Sequence, residues 1–288
     1  MRKFPLPAAG TVVAVAVSLF VAAASAQPTD ERVPQFGSAQ SGWMTTFDDW
    51  LQPPPGSGHG PIGPDPDYPY VGSVEGGRTG KQPTNRLSNS RDPILKPWAQ
   101  AQIQATNDEV LSGKRGEPFA AQASCWPGGV PGQLIFPFEP LYFIQTPTEV
   151  WMIWQRDHMV RRVYLDRPHT QNVKPSWFGE SVGHYENGDT LVVDTIGLST
   201  HNSFLDNFRT PHTEQEHVVE RFTVSPDGKS MTAIARVEDP GTLNGPLTMS
   251  EKWSRANGTM QETVCSENNT DFFGKNLYPG PEAKITDF

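Results

Sequence analysis

Val218-Val219-Glu220-Arg221-Phe222-Thr223-Val224 decides how this chain is read. Side chains alternate between the two faces of a strand, so Glu220 travels with Val218, Phe222 and Val224. Two later segments repeat the pattern. Leu247-Thr248-Met249-Ser250-Glu251-Lys252-Trp253 sets Glu251 beside Leu247, Met249 and Trp253, and Met260-Gln261-Glu262-Thr263-Val264-Cys265 sets Glu262 beside Met260 and Val264. A carboxylate on an apolar face is costly unless it is paired, hydrogen-bonded or protonated. Inward glutamates on neighbouring strands predict a β-barrel with a polar, functional interior.

Turn chemistry supplies a register. Glu186-Asn187-Gly188-Asp189 and Ala256-Asn257-Gly258-Thr259 both carry Asn-Gly, a strong hairpin signal. With Asn257-Gly258 as a two-residue loop, Glu262 faces Trp253 and Glu251 faces Val264. With Pro226-Asp227 at the centre of the Ser225–Gly228 turn, Glu220 faces Ala233, on a face shared with Met231 and Ala235. Small alanines beside an inward carboxylate leave room for ligand or water. With Asn187-Gly188 as the loop, His184 faces Leu191 and Ser181 faces Asp194; both faces are mixed, so parity leaves the internal one open.

From Leu134 onward the chain reads as β, with Phe143–Thr146, Val150–Gln155 and Met159–Leu165 rich in aromatic and β-branched residues. The expectation is an all-β fold: an antiparallel, calycin-like barrel, or a curved two-sheet sandwich, of about 8–10 strands. One short helix is predicted over 97–111, with Pro97 in its first turn and Ser112-Gly113 as its stop. The domain so defined runs from 93 to 288. Residues 27–92 contain Gln52-Pro53-Pro54-Pro55-Gly56-Ser57-Gly58-His59-Gly60-Pro61 and stay rich in Pro, Gly and polar residues to Pro93. That composition predicts an extended or disordered arm, with Trp43, Phe47 and Trp50 as anchors.

Residues 1–26 read as a secretory signal: Arg2 and Lys3, an apolar run from Thr11 to Ala24, and Ala24-Ser25-Ala26 before a cleavage after Ala26. The run is short for a membrane span, and no later segment is long and apolar enough to insert stably. Export, most plausibly to a bacterial periplasm, is the expectation. Of the full 288 residues, 32 are acidic and 23 basic, a net charge of −9. That balance argues against nucleic acid and anionic membrane surfaces, which need clustered Lys and Arg. Two cysteines, Cys125 and Cys265, allow one intramolecular pairing, and an oxidising compartment favours a structural disulfide.

Several residues are candidates for chemistry. Arg161 shares a strand face with Met159, Val163 and Leu165, and is read as an anion clamp or as the partner of an inward carboxylate. His184 lies in a hairpin, while His169 and His212 follow prolines in loop-like sequence, where they can serve as acid or base. Gly179-Glu180-Ser181-Val182-Gly183 matches G-x-S-x-G, but a hairpin follows it where a nucleophile elbow needs a helix. No dinucleotide, phosphate-loop or c-type haem motif is present, and no metal-ligand spacing, so no cofactor is expected.

From about Ser124 to Asn269, roughly half its length, the chain resembles a widespread family of uncharacterised exported bacterial β-domain proteins. The resemblance rests on Cys125-Trp126-Pro127-Gly128-Gly129-Val130-Pro131, Ile144-Gln145-Thr146-Pro147, Arg161–Asp166 with Arg167-Pro168-His169, and Trp177–Gly183. Asp189–Thr195, Pro211-His212, Glu220-Arg221-Phe222 and Glu238-Asp239-Pro240 complete it. It implies an exported β domain and brings no activity with it.

Together these readings predict a barrel enzyme acting on a small organic molecule by metal-independent acid–base chemistry, as a lyase, isomerase or hydrolase. Glu220 is the first candidate acid or base, with His184, His169 or His212 as the second proton-transfer group and Asp194 as an orienting partner. Arg161, Glu251, Glu262 and Trp253 are assigned to substrate binding. The alternative is a lipocalin-like carrier of a hydrophobic or aromatic ligand.

Overall fold

The computed structural model describes residues 33–45, 50–114, 125–135, 139–201 and 204–265. The signal-like segment 1–26 and Phe47 lie outside them. Nine strands, taken in chain order, close into a barrel. They are β1 (Ser41–Thr45), β2 (Leu141–Gln145), β3 (Glu149–Trp154), β4 (Met159–Leu165), β5 (Glu180–Glu186), β6 (Thr190–Ile196), β7 (His217–Val224), β8 (Ser230–Glu238) and β9 (Leu247–Asn257). An all-β barrel is therefore present.

It is mixed, not purely antiparallel: β4 and β5 run parallel, pairing Val163 with Ser181 and Leu165 with Gly183. Parity requires this. Antiparallel neighbours alternate in direction, so an odd ring closes antiparallel between β1 and β9 only if one other pair is parallel. A parallel pair needs a long crossover, here residues 166–179, which carry His169.

The register readings are corrected in instructive ways. Glu220 faces Ala235, not Ala233, because the turn is centred two residues' worth of pairing later, around Asp227-Gly228; Gly228 takes φ 67° there. An even shift preserves the face, and β7 alternates strictly between buried and half-buried positions. The other hairpin shifts by one. Glu186 pairs with Thr190 across a three-residue loop, so Ser181 faces Thr195 and His184 faces Val192. The internal face is thereby fixed as Ser181, Gly183, Leu191, Val193 and Thr195, while His184 points outward and is exposed.

Asn257-Gly258 is not a hairpin turn. β9 takes its second neighbour from the supposed arm, where Trp43 pairs with Arg255 and Thr45 with Trp253. Beyond Asn257 the chain leaves the barrel, and Glu262 is exposed outside any strand.

The described residues of the arm beyond β1 are also packed on the barrel. Leu51 exchanges backbone hydrogen bonds with Ser250 (2.9 and 3.2 Å), and Thr248 donates to the His59 carbonyl at 2.8 Å. The Pro-rich chain thus continues along β9 where β1 stops, and Ile62 and Leu87 are buried beneath it. A segment unable to build its own core borrows that of the barrel. All the described residues belong to one compact unit.

A short helix, α1 (Ser73–Thr79), and a longer one, α2 (Pro97–Leu111), complete the structure. The longer helix has the predicted bounds. It buries Ala99, Ile103, Asn107 and Val110, one stripe of a 3.6-residue period, and leaves Trp98 exposed. Among the described residues, no helix is long and apolar enough to cross a membrane. Inside the barrel, rings run in succession from Phe36 to Phe143 (4.9 Å), Phe222 (6.1 Å) and Trp253 (6.5 Å). Cys125 and Cys265 form a disulfide with Cα atoms 5.5 Å apart, joining the segment before β2 to the chain that follows β9 rather than to a last strand.

Candidate acid–base site

Apart from Glu262, the sequence-predicted residues fall into three separate places. Inside the barrel, Arg161 and Glu220 form a bidentate ion pair. Nη1 donates to Glu220 Oε1 at 3.0 Å, Nη2 donates to Oε2, and Nη2 also reaches Thr195 Oγ1 at 2.8 Å. Arg161 Nε donates to Ser181 Oγ at 3.0 Å, so every nitrogen of the guanidinium is used. The two side chains are 1% and 0% exposed. A pair so enclosed fixes register and leaves neither partner facing an open cavity.

Glu251 is equally buried. Thr45 Oγ1 donates to its Oε1 at 3.0 Å and the Lys252 backbone N–H at 2.7 Å, while Trp253 belongs to the ring succession. Ala233 is flanked in register by Phe222 and Glu251, and Ala235 by Glu220 and Met249, and both alanines are fully buried.

The outer face of β5–β7 holds a second cluster. His169 in the crossover presents Nδ1 to Glu180 Oε1 (3.2 Å) and Nε2 to Asp194 Oδ1 (3.0 Å), and His217 Nε2 meets the same Asp194 oxygen at 2.8 Å. Burial pushes the Glu180 carboxyl up, but hydrogen bonds from Thr170 and His169 and the charge of Arg167 outweigh it and hold it below its ordinary value. His184 and Asp194 line an open groove of about 470 Å³ floored by Val182, Val192 and Val219. The groove is therefore on the barrel's exterior, and His184 is paired there with Glu186 at 2.9 Å.

The third place is the loop entering β7. Glu216 N donates to the Thr213 carbonyl at 3.1 Å, a turn that folds His212 back over Glu216. His212 Nδ1 and Glu216 Oε2 are 2.7 Å apart, with side chains 3% and 0% exposed. Burial alone lowers the His212 pKa; the Glu216 charge, its close contact and the Thr213 carbonyl overcome this and hold it above the ordinary imidazole value. Burial raises the Glu216 pKa against the pull of His212, with the charges of Asp239 and Glu220 adding to the rise. Neither Glu216 oxygen meets hydrogen-bond geometry, so the 2.7 Å approach of Oε2 to His212 Nδ1 is a charge contact, and desolvation dominates at the carboxylate.

His212 also lines a cavity of about 410 Å³ with Trp98, Phe204, Pro211, Thr200, Thr213, Gln102 and Glu214. This arrangement, a histidine held at Nδ1 by a buried carboxylate and set in a cavity wall, is how proton-transfer groups are oriented in enzymes. Glu216 and Trp98 were missed as site residues. The signal for Glu216 was the buried parity of β7 carried two residues earlier than Val218; that for Trp98 was an aromatic off the apolar stripe of α2.

Fold and site define a closed nine-stranded barrel with a histidine–carboxylate dyad at a cavity. The sequence matches no protein-family model and no curated protein.

Proposed function

We propose that the protein is an exported barrel enzyme that transforms a small organic molecule by acid–base chemistry, as a lyase, isomerase or hydrolase. His212 exchanges the proton with substrate, and Glu216 orients the ring and stabilises its charged form. One observation carries this: the 2.7 Å contact of His212 Nδ1 with a fully buried Glu216, at the wall of a cavity of about 410 Å³. That volume falls within the roughly 300–1,000 Å³ of small-molecule sites. The succession of rings from Phe36 to Trp253 occupies interior space that a lipocalin-like carrier uses for ligand, which favours the enzyme. Export is supported by the signal-like residues Arg2 to Ala26 and by the Cys125–Cys265 disulfide.

The test is proton NMR of the purified protein mixed with extracts of its host's growth substrates, beside His212→Asn. Signals converted by the wild type and not by the variant support the proposal. Equal conversion by both removes His212 from the chemistry, and broadening without conversion in either favours the carrier.

A further inference from the structure

Resting on the reading of the His212 cavity as the reaction site, we infer that its substrate is an uncharged, hydroxyl-bearing ring of the carbohydrate type. The argument begins with charge. Among the described residues lining the cavity none is Lys or Arg, and the charge of His212 is matched by Glu216. Glu214 is exposed at the rim, and Asp239 stands directly behind Thr213. An anionic substrate enters this carboxylate field with no guanidinium or ammonium to receive it, and a cationic one approaches the imidazolium of His212. The anion has no charge partner among the described lining residues, and the cation has only the solvent-exposed Glu214 carboxylate, where screening leaves little attraction.

Hydrogen-bonding capacity narrows the class. Thr213 Oγ1 gives its proton to Asp239 Oδ1 at 2.6 Å and accepts the Gln215 N–H at 3.2 Å, so it has one lone pair left to offer and no proton. The Glu214 carboxylate likewise only accepts. Acceptors of this kind call for donors on the ligand, and hydroxyl groups supply them without charge. Gln102 and Thr200 add groups able to give or take a hydrogen bond.

Shape supplies the last element. The Trp98 indole spends its N–H on the Gly241 carbonyl at 2.7 Å, which pins the ring by its edge and leaves it 40% exposed. With Phe204 and Pro211 it gives the cavity apolar lining beside the acceptors. A saturated ring with an apolar C–H face and a hydroxylated edge matches both kinds of lining at once.

The experiment measures binding of three matched rings to the full chain by saturation-transfer NMR: a methyl glucoside, a glucuronate and a glucosamine. The uncharged ring is expected to bind best. Trp98→Ala, checked for folding by circular dichroism, is expected to weaken it about tenfold, the loss of one stacking surface. Glu214→Lys, at an exposed position, is expected to bring the glucuronate up to the uncharged ring. Tighter binding of glucuronate or glucosamine by the wild type overturns the inference, as does an uncharged-ring affinity unmoved by Trp98→Ala. Conversion by His212→Asn defeats the acid–base reading instead, and leaves the class of ring standing.

Discussion

Glu216 and Glu220 lie on one buried side of the chain entering and forming β7, with Val218 between them, and each meets a different cation. Glu220 takes the fixed charge of Arg161, and Glu216 the titratable charge of His212. The order of side chains is histidine, glutamate, glutamate, arginine. The permanent pair is enclosed in the barrel, and the pair that gains and loses a proton stands at a cavity.

Removing the Glu216 charge leaves His212 buried without its partner. In Glu216→Gln the burial that lowers the His212 pKa is no longer outweighed, so the pH–rate profile moves to lower pH and turnover falls by roughly 10²–10⁴-fold. Progress curves between pH 5 and 9 on the substrate identified by NMR check this. A profile unchanged in position excludes the dyad.

The same pair dictates how stability depends on pH. His212 has a folded-state pKa above its ordinary 6.5. Its contribution is therefore complete below that value and is lost as pH rises through the folded pKa. Glu216, raised above 4.5, acts with the same sign in its own lower window, because here too the folded state holds the proton more tightly. Urea midpoints should fall as pH rises through both windows, and the double variant His212→Asn/Glu216→Gln should give a flatter curve.

For Arg161 and Glu220 the expectation is structural. Glu220→Gln or Arg161→Met leaves one charge buried without its partner and costs about 3–5 kcal/mol, read as a shift in the urea midpoint. Replacing both, as Arg161→Met with Glu220→Leu, recovers much of the loss. A Glu220→Gln variant of wild-type stability and no turnover would restore Glu220 to the chemistry.

His184 offers a contrast. It is exposed on the outer face and, among the described residues, bonded to Glu186, so His184→Ala should leave stability within about 0.5 kcal/mol and turnover unchanged. Thermal melts and the same progress curves suffice to check it.

The disulfide closes a loop with a sequence separation of 140. Loop-closure entropy of that length corresponds to roughly 5 kcal/mol, of which about 2–5 kcal/mol is commonly realised. Denaturation with and without reductant, or of Cys125→Ser/Cys265→Ser, should show a loss of that size.

Alternation made the barrel and its inward glutamates legible: Glu220 and Glu251 needed only a period of two and an apolar set of neighbours. Helix 97–111 was legible because Pro97 and Gly113 mark its ends. What composition concealed was the arm, since Trp43 and Ile62 are buried by surfaces far away in sequence and no local count of prolines reveals that. Glu262 was misplaced because Asn257-Gly258 has the chemistry of a hairpin, while the vacant edge of β9 is filled by β1. The faces of the 180–196 hairpin depended on one extra loop residue. His212 was visible as a candidate, but its partner became recognisable only once the turn from Thr213 to Glu216 brought the two together.

The pairing of Trp43 with Arg255, whose guanidinium lies 3.6 Å from the indole centroid, has a consequence for biogenesis. The strand synthesised first waits for the one synthesised last, and their pairing carries a large loop-closure cost before any reward. A nascent chain therefore holds an unsealed ring until residue 257 has emerged. Closure is a late event in synthesis, because the staves of the barrel cannot be hooped before both ends of the ring exist.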